Sequence, residues 1–233
     1  MLHPHIKEKV IQELAESQEP TAAAEATTLA DLTSSTSAAP YCAYANAVIS
    51  ESLRLHPPVP LEIHENVSND SVALPDGTVV KPGEKVVWSP WTMSRSERIW
   101  GSDALDFRPE RWLPPSYWNP DLMGRPLPKD HASRKTAYEF PVFHAGPRSC
   151  LGKQLARIEL IFAMRELFRR YDFEPAWPAS VGRPTGLLEV ESESREVGDG
   201  LTGPIKDGLP VFVRRRSNAT SQALQDTKHD SEI

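Results

Sequence analysis

The run Phe143-His-Ala-Gly146-Pro-Arg148-Ser-Cys150-Leu-Gly152 delivers one cysteine, framed by glycines and an arginine, directly into a stretch with helical spacing. Residues of these types in this order suit a thiolate offered to a haem iron. A sulfur facing iron has to be a stable anion, and the amides and positive dipole end of the following helix supply that stabilisation. Gly146 and Gly152 remove side chains that would hold a flat macrocycle away. Arg148, two residues from the sulfur, can reach a carboxylate of the same ligand with a bidentate, charge-assisted pair. The alternative for Cys150 is a small buried hydrophobe.

The run resembles the cysteine loop of the cytochrome P-450 haem-thiolate monooxygenases, Phe-x-x-Gly-x-Arg-x-Cys-x-Gly, at all five fixed positions. Chance agreement in a chain of this size is roughly 10⁻⁴ or less. The resemblance implies a Cys-ligated haem, with Cys150 as the axial iron ligand and Phe143, Gly146, Arg148 and Gly152 around the cofactor.

The family's second element, Glu-x-x-Arg, occurs at Glu51/Arg54 and again at Glu166/Arg169. Roughly one such pair is expected by chance, so context has to choose. Glu51 and Arg54 close the apolar stretch Ala45-Val48-Ile49-Leu53 and precede His56-Pro57-Pro58-Val59-Pro60, where prolines end a helix. Glu166/Arg169 reads as an i,i+3 surface pair. Phe107-Arg108-Pro109-Glu110-Arg111-Trp112 matches the family's Pro-Glu-Arg-aromatic element, which the resemblance places against the first pair. A Glu51–Arg54–Arg111 triad is the expectation, with an architectural role: a carboxylate shared by two guanidiniums locks the loop that carries Cys150. The alternative is two unrelated surface clusters.

Several elements have to position these groups. Ile6, Val10 and Leu14 recur at four-residue steps and predict a short amphipathic helix over 4–16. From Thr21 to Ala39, 15 of 19 residues are Ala, Thr or Ser without hydrophobic period, so a flexible connector is expected over about 17–40. A helix from about Tyr41 to Leu55 follows. Val67 to Trp88 alternates short β-prone stretches with Asp76-Gly77 and Pro82-Gly83, the pattern of hairpin turns in a small sheet. An irregular proline-rich stretch leads to the cysteine loop, 143–152. Beyond it, Leu151-Leu155-Ile158-Phe162 and Leu160-Met164-Leu167-Tyr171 form two apolar stripes about 140° apart, so this helix is expected to be sandwiched between layers. Gly186 to Arg195 and Pro210 to Arg214 read as strands, and 217–233 as a disordered polar tail.

A chain of 233 residues, 39% hydrophobic, can build a sizeable core. Net charge −6 argues against nucleic acid as a partner. Arg214-Arg215-Arg216 reads as a solvated strand edge, with membrane or partner docking the minority reading. Two cysteines, Cys42 and Cys150, are too few for a disulfide framework, and Cys42 reads as buried packing. The seven histidines show no paired zinc spacing, and His144-x5-Cys150 is no recognised ligand pair. No run is long enough to cross a bilayer, so the chain reads as soluble and cytoplasmic; the resemblance implies endoplasmic-reticulum anchoring, cytosol-facing, for full-length relatives.

The resemblance covers residues 4–216 but only the C-terminal part of the family's fold. The expected class is mainly α with small β-sheets (α+β), an incomplete cytochrome P-450 fold lacking its N-terminal portion and the oxygen-binding helix, so no catalytic acid–alcohol pair is assigned. A finer likeness to fungal and plant fatty-acid and alkane hydroxylases rests on Ser52–Pro60, Leu74-Pro-Asp-Gly-Thr78, Ile99-Trp-Gly101 and Tyr138–Phe143. His64 lies where those relatives place a basic residue toward a haem propionate, which a protonated histidine can do; a solvated strand residue is the alternative. Val59, Leu61, Leu201 and Thr202 match segments lining the family's substrate pocket, or are core. The implied function is oxygen insertion into an apolar substrate, using dioxygen and electrons from an NADPH-dependent flavoprotein reductase that would dock near Lys153 and Arg157. An inactive fragment without stable haem is the second reading.

Overall fold

The computed structural model describes residues 3–16, 42–117, 131–176, 202 and 211–216. The expected connector, the strand over Gly186 to Arg195, Leu201 and the polar tail therefore lie outside the described residues. Helix α1 spans Pro4–Glu16 and α2 spans Ala43–Leu55. Ile6, Val10 and Leu14 of α1 are all buried, and they meet Cys42, Tyr44, Ala45 and Ala47 of α2 together with Leu113. Cys42 sits at the N-cap of α2 and is buried packing.

No side chain at that N-cap satisfies the first amides of α2. Glu13 of α1 does so instead, its two oxygens accepting from the Tyr44 and Ala45 amides at 2.8 Å each. A carboxylate at this positive helix end answers both the orphan donors and the dipole.

After α2, Pro57 and Pro58 stop the helix and the chain turns into β1 (Glu62–Glu65). β2 (Val72–Ala73) and β3 (Val79–Val80) pair through the Asp76-Gly77 turn, with Gly77 at φ +87. β4 (Lys85–Trp88) returns through the Pro82-Gly83 turn to pair with β1, Glu62 opposite Trp88. Two four-residue helices, α3 (Pro90–Met93) and α4 (Glu97–Trp100), precede a one-turn 3₁₀ helix over Pro109–Trp112. Helix α5 (Lys153–Arg170) runs into β5 (Tyr171–Pro175), which pairs with β6 (Val211–Arg215). The architecture is mainly helical, with two-stranded antiparallel sheets beside the helices. Among the described residues no helix is long and apolar enough to cross a membrane.

Among the described residues the sandwich expected for α5 is not formed. Ile161, Met164 and Phe168 pack on the α1–α2 core, but no described residue of the helix is fully buried. Leu155, Phe162 and Leu167 are exposed, and Leu151 before the helix is wholly so. Two apolar stripes state what a helix could bury on each side, and among the described residues a layer meets only one side. Glu166 pairs with Arg170 at 2.7 Å, one turn on. Arg216 bonds Asp172 at 2.7 Å, so the basic run is not wholly solvated.

Candidate functional site

Glu51 and Arg54 lie three residues apart on α2 and therefore share a face. Both are wholly buried. Arg54 grips the carboxylate in bidentate fashion, Nε to Oε2 at 2.9 Å and Nη2 to Oε1 at 2.8 Å. Arg111, presented by the 3₁₀ turn that Pro109 starts, donates Nε to Oε1 at 2.9 Å. Trp112 Nε1 reaches Oε2 at 2.8 Å and the Arg108 amide reaches Oε1 at 2.9 Å. The carboxylate thus accepts five hydrogen bonds, which satisfies its acceptor capacity and compensates its burial.

The guanidiniums are spent on carbonyls of the loop between α3 and that turn. Arg54 donates to the carbonyls of Ser94 and Ala104 at 2.6 Å and of Asp106 at 3.0 Å, and Arg111 to that of Asp103 at 2.9 Å. Arg54 also lies 5.1 Å from the Trp100 ring, itself packed with Trp112 and Phe140. Next to this network Tyr44 donates to Glu110 at 2.8 Å. Burial, and then that hydrogen bond to a carboxylate, hold the Tyr44 phenol well above its ordinary value. Burial alone would raise the Glu110 carboxyl, but hydrogen bonds from its own backbone, Tyr44 and Lys9 outweigh it and hold it low.

From this scaffold the chain passes through a turn over Pro141–Phe143 to the cysteine loop. The Cys150 amide donates to the Phe143 carbonyl at 2.8 Å and closes the loop on itself. Cys150 is exposed, immediately ahead of α5, whose N-cap is Gly152. Gly146 has a backbone reason to be glycine: its φ is +61, and an added Cβ would stand 3.3 Å from the Tyr138 hydroxyl. At Gly152 an added Cβ would stand 3.8 Å from the Cys150 sulfur, in ordinary van der Waals contact with it. Arg148 is exposed on the loop's 3₁₀ turn, Gly146–Arg148. Phe143 is half-buried, with the Lys153 ammonium 5.9 Å from its ring.

The other expected residues are spread more widely. His64 is exposed on β1, its ring 4.5 Å from that of Trp88. Val59 is half-buried, while Leu61 and Thr202 are exposed. Lys153 is exposed, whereas Arg157 is half-buried and donates to Ser50 at 3.1 Å, and burial lowers its basicity. A guanidinium reaching from α5 to α2 serves packing between helices.

Sequence reasoning did not include Trp112 and the Arg108 amide among the Glu51 partners. The aromatic position of the Pro-Glu-Arg-Trp run carried the signal for Trp112. Nor did spacing reveal that Glu62, His64 and His144 approach one another, their donor atoms all within 4.8 Å.

The described residues thus include a buried Glu/Arg/Arg network and an exposed cysteine at a helix start. The cytochrome P450 family profile matches residues 1–184, and the chain belongs to the cytochrome P450 family. It is 37% identical over 181 residues to "Cytochrome P450 CYP94D109" of Paris polyphylla, covering 78% of this chain and 31% of the relative. Over 173 residues it is 35% identical to a "Cytochrome P450" of Helianthus annuus, covering 74% of this chain and 92% of that protein. "Noroxomaritidine synthase" of a Narcissus is 36% identical over 174 residues, covering 75% of this chain and 28% of the relative. The chain thus spans about three tenths of the length of most of these relatives. The family's cofactor is a cysteine-ligated haem, and the donor set present fits it: an exposed thiol at a helix start, with glycine beside the sulfur.

Proposed function

We propose that Cys150 is the axial thiolate of a haem monooxygenase site, with Arg148 and His64 toward the haem carboxylates and Phe143, Gly146 and Gly152 shaping the loop. The observation carrying this reading is the exposed Cys150 thiol in a loop closed at 2.8 Å by its own amide and followed at once by a helix start. When bound, a cysteine-ligated haem supplies the activation of dioxygen for inserting one oxygen atom into a C–H bond. This chain's residues hold the thiolate: the helix start favours the anion, and the Glu51–Arg54–Arg111 network fixes the 94–106 segment, whose Trp100 packs on Phe140 just ahead of the cysteine loop. Electrons would come from an NADPH-dependent flavoprotein reductase, with Lys153 as the cation this face offers it.

The substrate in this reading is apolar, a fatty acid or alkane. Its support is the likeness of Ser52–Pro60, Leu74–Thr78, Ile99–Gly101 and Tyr138–Phe143 to hydroxylases of such substrates. Oxygen insertion needs water excluded from the reacting centre.

The test is spectroscopic. Protein reconstituted with haem, reduced and exposed to carbon monoxide should give the red-shifted Soret band of thiolate ligation. Cys150→Ala should abolish the band, and Cys42→Ala should leave it. The reverse pattern would assign the wrong sulfur.

A further inference from the structure

Arg214, Arg215 and Arg216 form the longest basic run of the chain, and Ser217 follows them directly. Ser217 itself lies outside the described residues, whereas all three arginines are placed. Their surroundings differ, and the difference is selective.

Among the described residues β6 pairs with β5 alone, so its other edge is open, and every residue of the strand is exposed. Successive strand residues point to opposite faces, so Arg214 and Arg215 project to either side of an extended backbone. Arg215 has no hydrogen-bond or ion-pair partner among the described residues. The carboxylate facing Arg214, that of Glu174, stands 3.9 Å away, with both side chains more than half exposed. Arg216 is held instead: its side chain is 13% exposed and donates to Asp172 at 2.7 Å, and its amide donates to the Arg170 carbonyl at 2.8 Å. The fold thus occupies the arginine beside Ser217 and leaves exposed the two that stand two and three residues before it.

That selection is the pattern a basophilic protein kinase reads. Such an enzyme grips arginines at these two positions with carboxylates, through bidentate, charge-assisted hydrogen bonds. An exposed guanidinium changes partners at little cost, because a surface ion pair contributes little. We propose that Ser217 is a phosphoacceptor for a basophilic kinase, recognised through Arg214 and Arg215. The γ-phosphoryl group of ATP passes to Ser217 Oγ. The new O–P bond forms as the bond from the γ-phosphorus to the bridging oxygen of ADP breaks, and the hydroxyl proton goes to the kinase's catalytic aspartate. The product phosphate carries about −1.5 to −2 charge at pH 7, and neighbouring arginines stabilise it. Thr136 also follows two cations, Arg134 and Lys135, but Ser133 stands third before it. Its hydroxyl accepts from the Glu139 amide at 3.3 Å while Glu139 accepts from the Thr136 amide at 2.8 Å, which ties that acceptor into a turn.

The full chain is incubated with ATP, magnesium and the catalytic subunit of the cyclic-AMP-dependent kinase, and incorporation is followed by intact-mass and peptide mass spectrometry. One phosphate per chain should enter, at Ser217, and Ser217→Ala should abolish it. Arg214→Ala and Arg215→Ala should each lower kcat/KM about tenfold or more, the worth of one hydrogen bond to a charged group. Arg216→Gln should leave the rate unchanged, because the fold already holds that guanidinium away from the enzyme. The three arginine positions are compared at equal soluble yield, and the readout is independent of haem. No incorporation into the parent chain, phosphate persisting in Ser217→Ala, or Arg216→Gln slowing transfer as much as Arg214→Ala would each overturn the proposal.

Discussion

The Glu51 network and the Cys150 loop are both short charged or nucleophilic signatures ending near an α-helix, yet their surroundings are opposite. Glu51 and Arg54 are wholly buried and tied to carbonyls of Ser94, Ala104 and Asp106. Cys150 is exposed, and the helix it leads into keeps a leucine and phenylalanine stripe in solvent. The difference separates two jobs. A buried polar network stays charged only if every partner is present, so it specifies its neighbourhood; a ligand-offering group has to remain open and contributes little to stability.

The largest test of that contrast is Glu51→Ala or Arg54→Ala. Either leaves a buried charge without its partner, at a cost of about 3–5 kcal/mol. Glu166→Ala, which removes a half-exposed helix pair with Arg170, should cost less than about 0.5 kcal/mol. Chemical denaturation and soluble yield read both. Equal losses would mean that burial of the first pair does not decide its worth.

Next in size is Glu13→Ala, which strips the Tyr44 and Ala45 amides of their acceptor. Loss of a helix cap costs about 1–2 kcal/mol, with Glu13→Gln intermediate because it keeps an acceptor but not the charge. Urea midpoints would rank the three proteins.

These residues also mark how far the sequence could be read. Helix α1 was legible over 4–16 because Ile6, Val10 and Leu14 repeat at the helical period, and the choice between the two Glu-x-x-Arg pairs followed from the prolines after the first. The hairpin turns followed from Asp76-Gly77 and Pro82-Gly83. Glu13 was not legible as a cap, since the cap comes from another helix and no local pattern announces it. The one-sided packing of α5 was not legible either, because periodicity records where apolar groups point and not whether a layer meets them. Glu62, His64 and His144 come together only through the fold.

On the open side of the comparison, Cys150→Ala and Phe162→Gln should each change stability by no more than about 0.5 kcal/mol, as exposed substitutions do. Phe162 is 62% exposed, so little burial is lost. Thermal or urea unfolding of the chain measures this. A loss near that of Glu51→Ala would show that this face is covered in solution.

The smallest expected effect is a pH dependence at the seam between α1 and the β5–β6 pair. Asp172 accepts from Lys7 at 2.9 Å and from Arg216 at 2.7 Å. Burial alone would raise its carboxyl, but the hydrogen bonds and charges of those two cations outweigh it and hold the group below its ordinary 3.8. A carboxyl depressed in the folded state stabilises above the unfolded value, near 3.9, and that stabilisation fades as pH falls through the folded value. The carboxylate is about one-third exposed, so the contribution is about 0.2–1 kcal/mol and is screened by salt. The stability difference between the parent and Asp172→Asn should be constant above about pH 5 and shrink steadily below pH 4. Taking the difference cancels the acid titration of groups common to both proteins. A gap that widens in acid would mean the Lys7 and Arg216 contacts do not favour the ionised carboxylate.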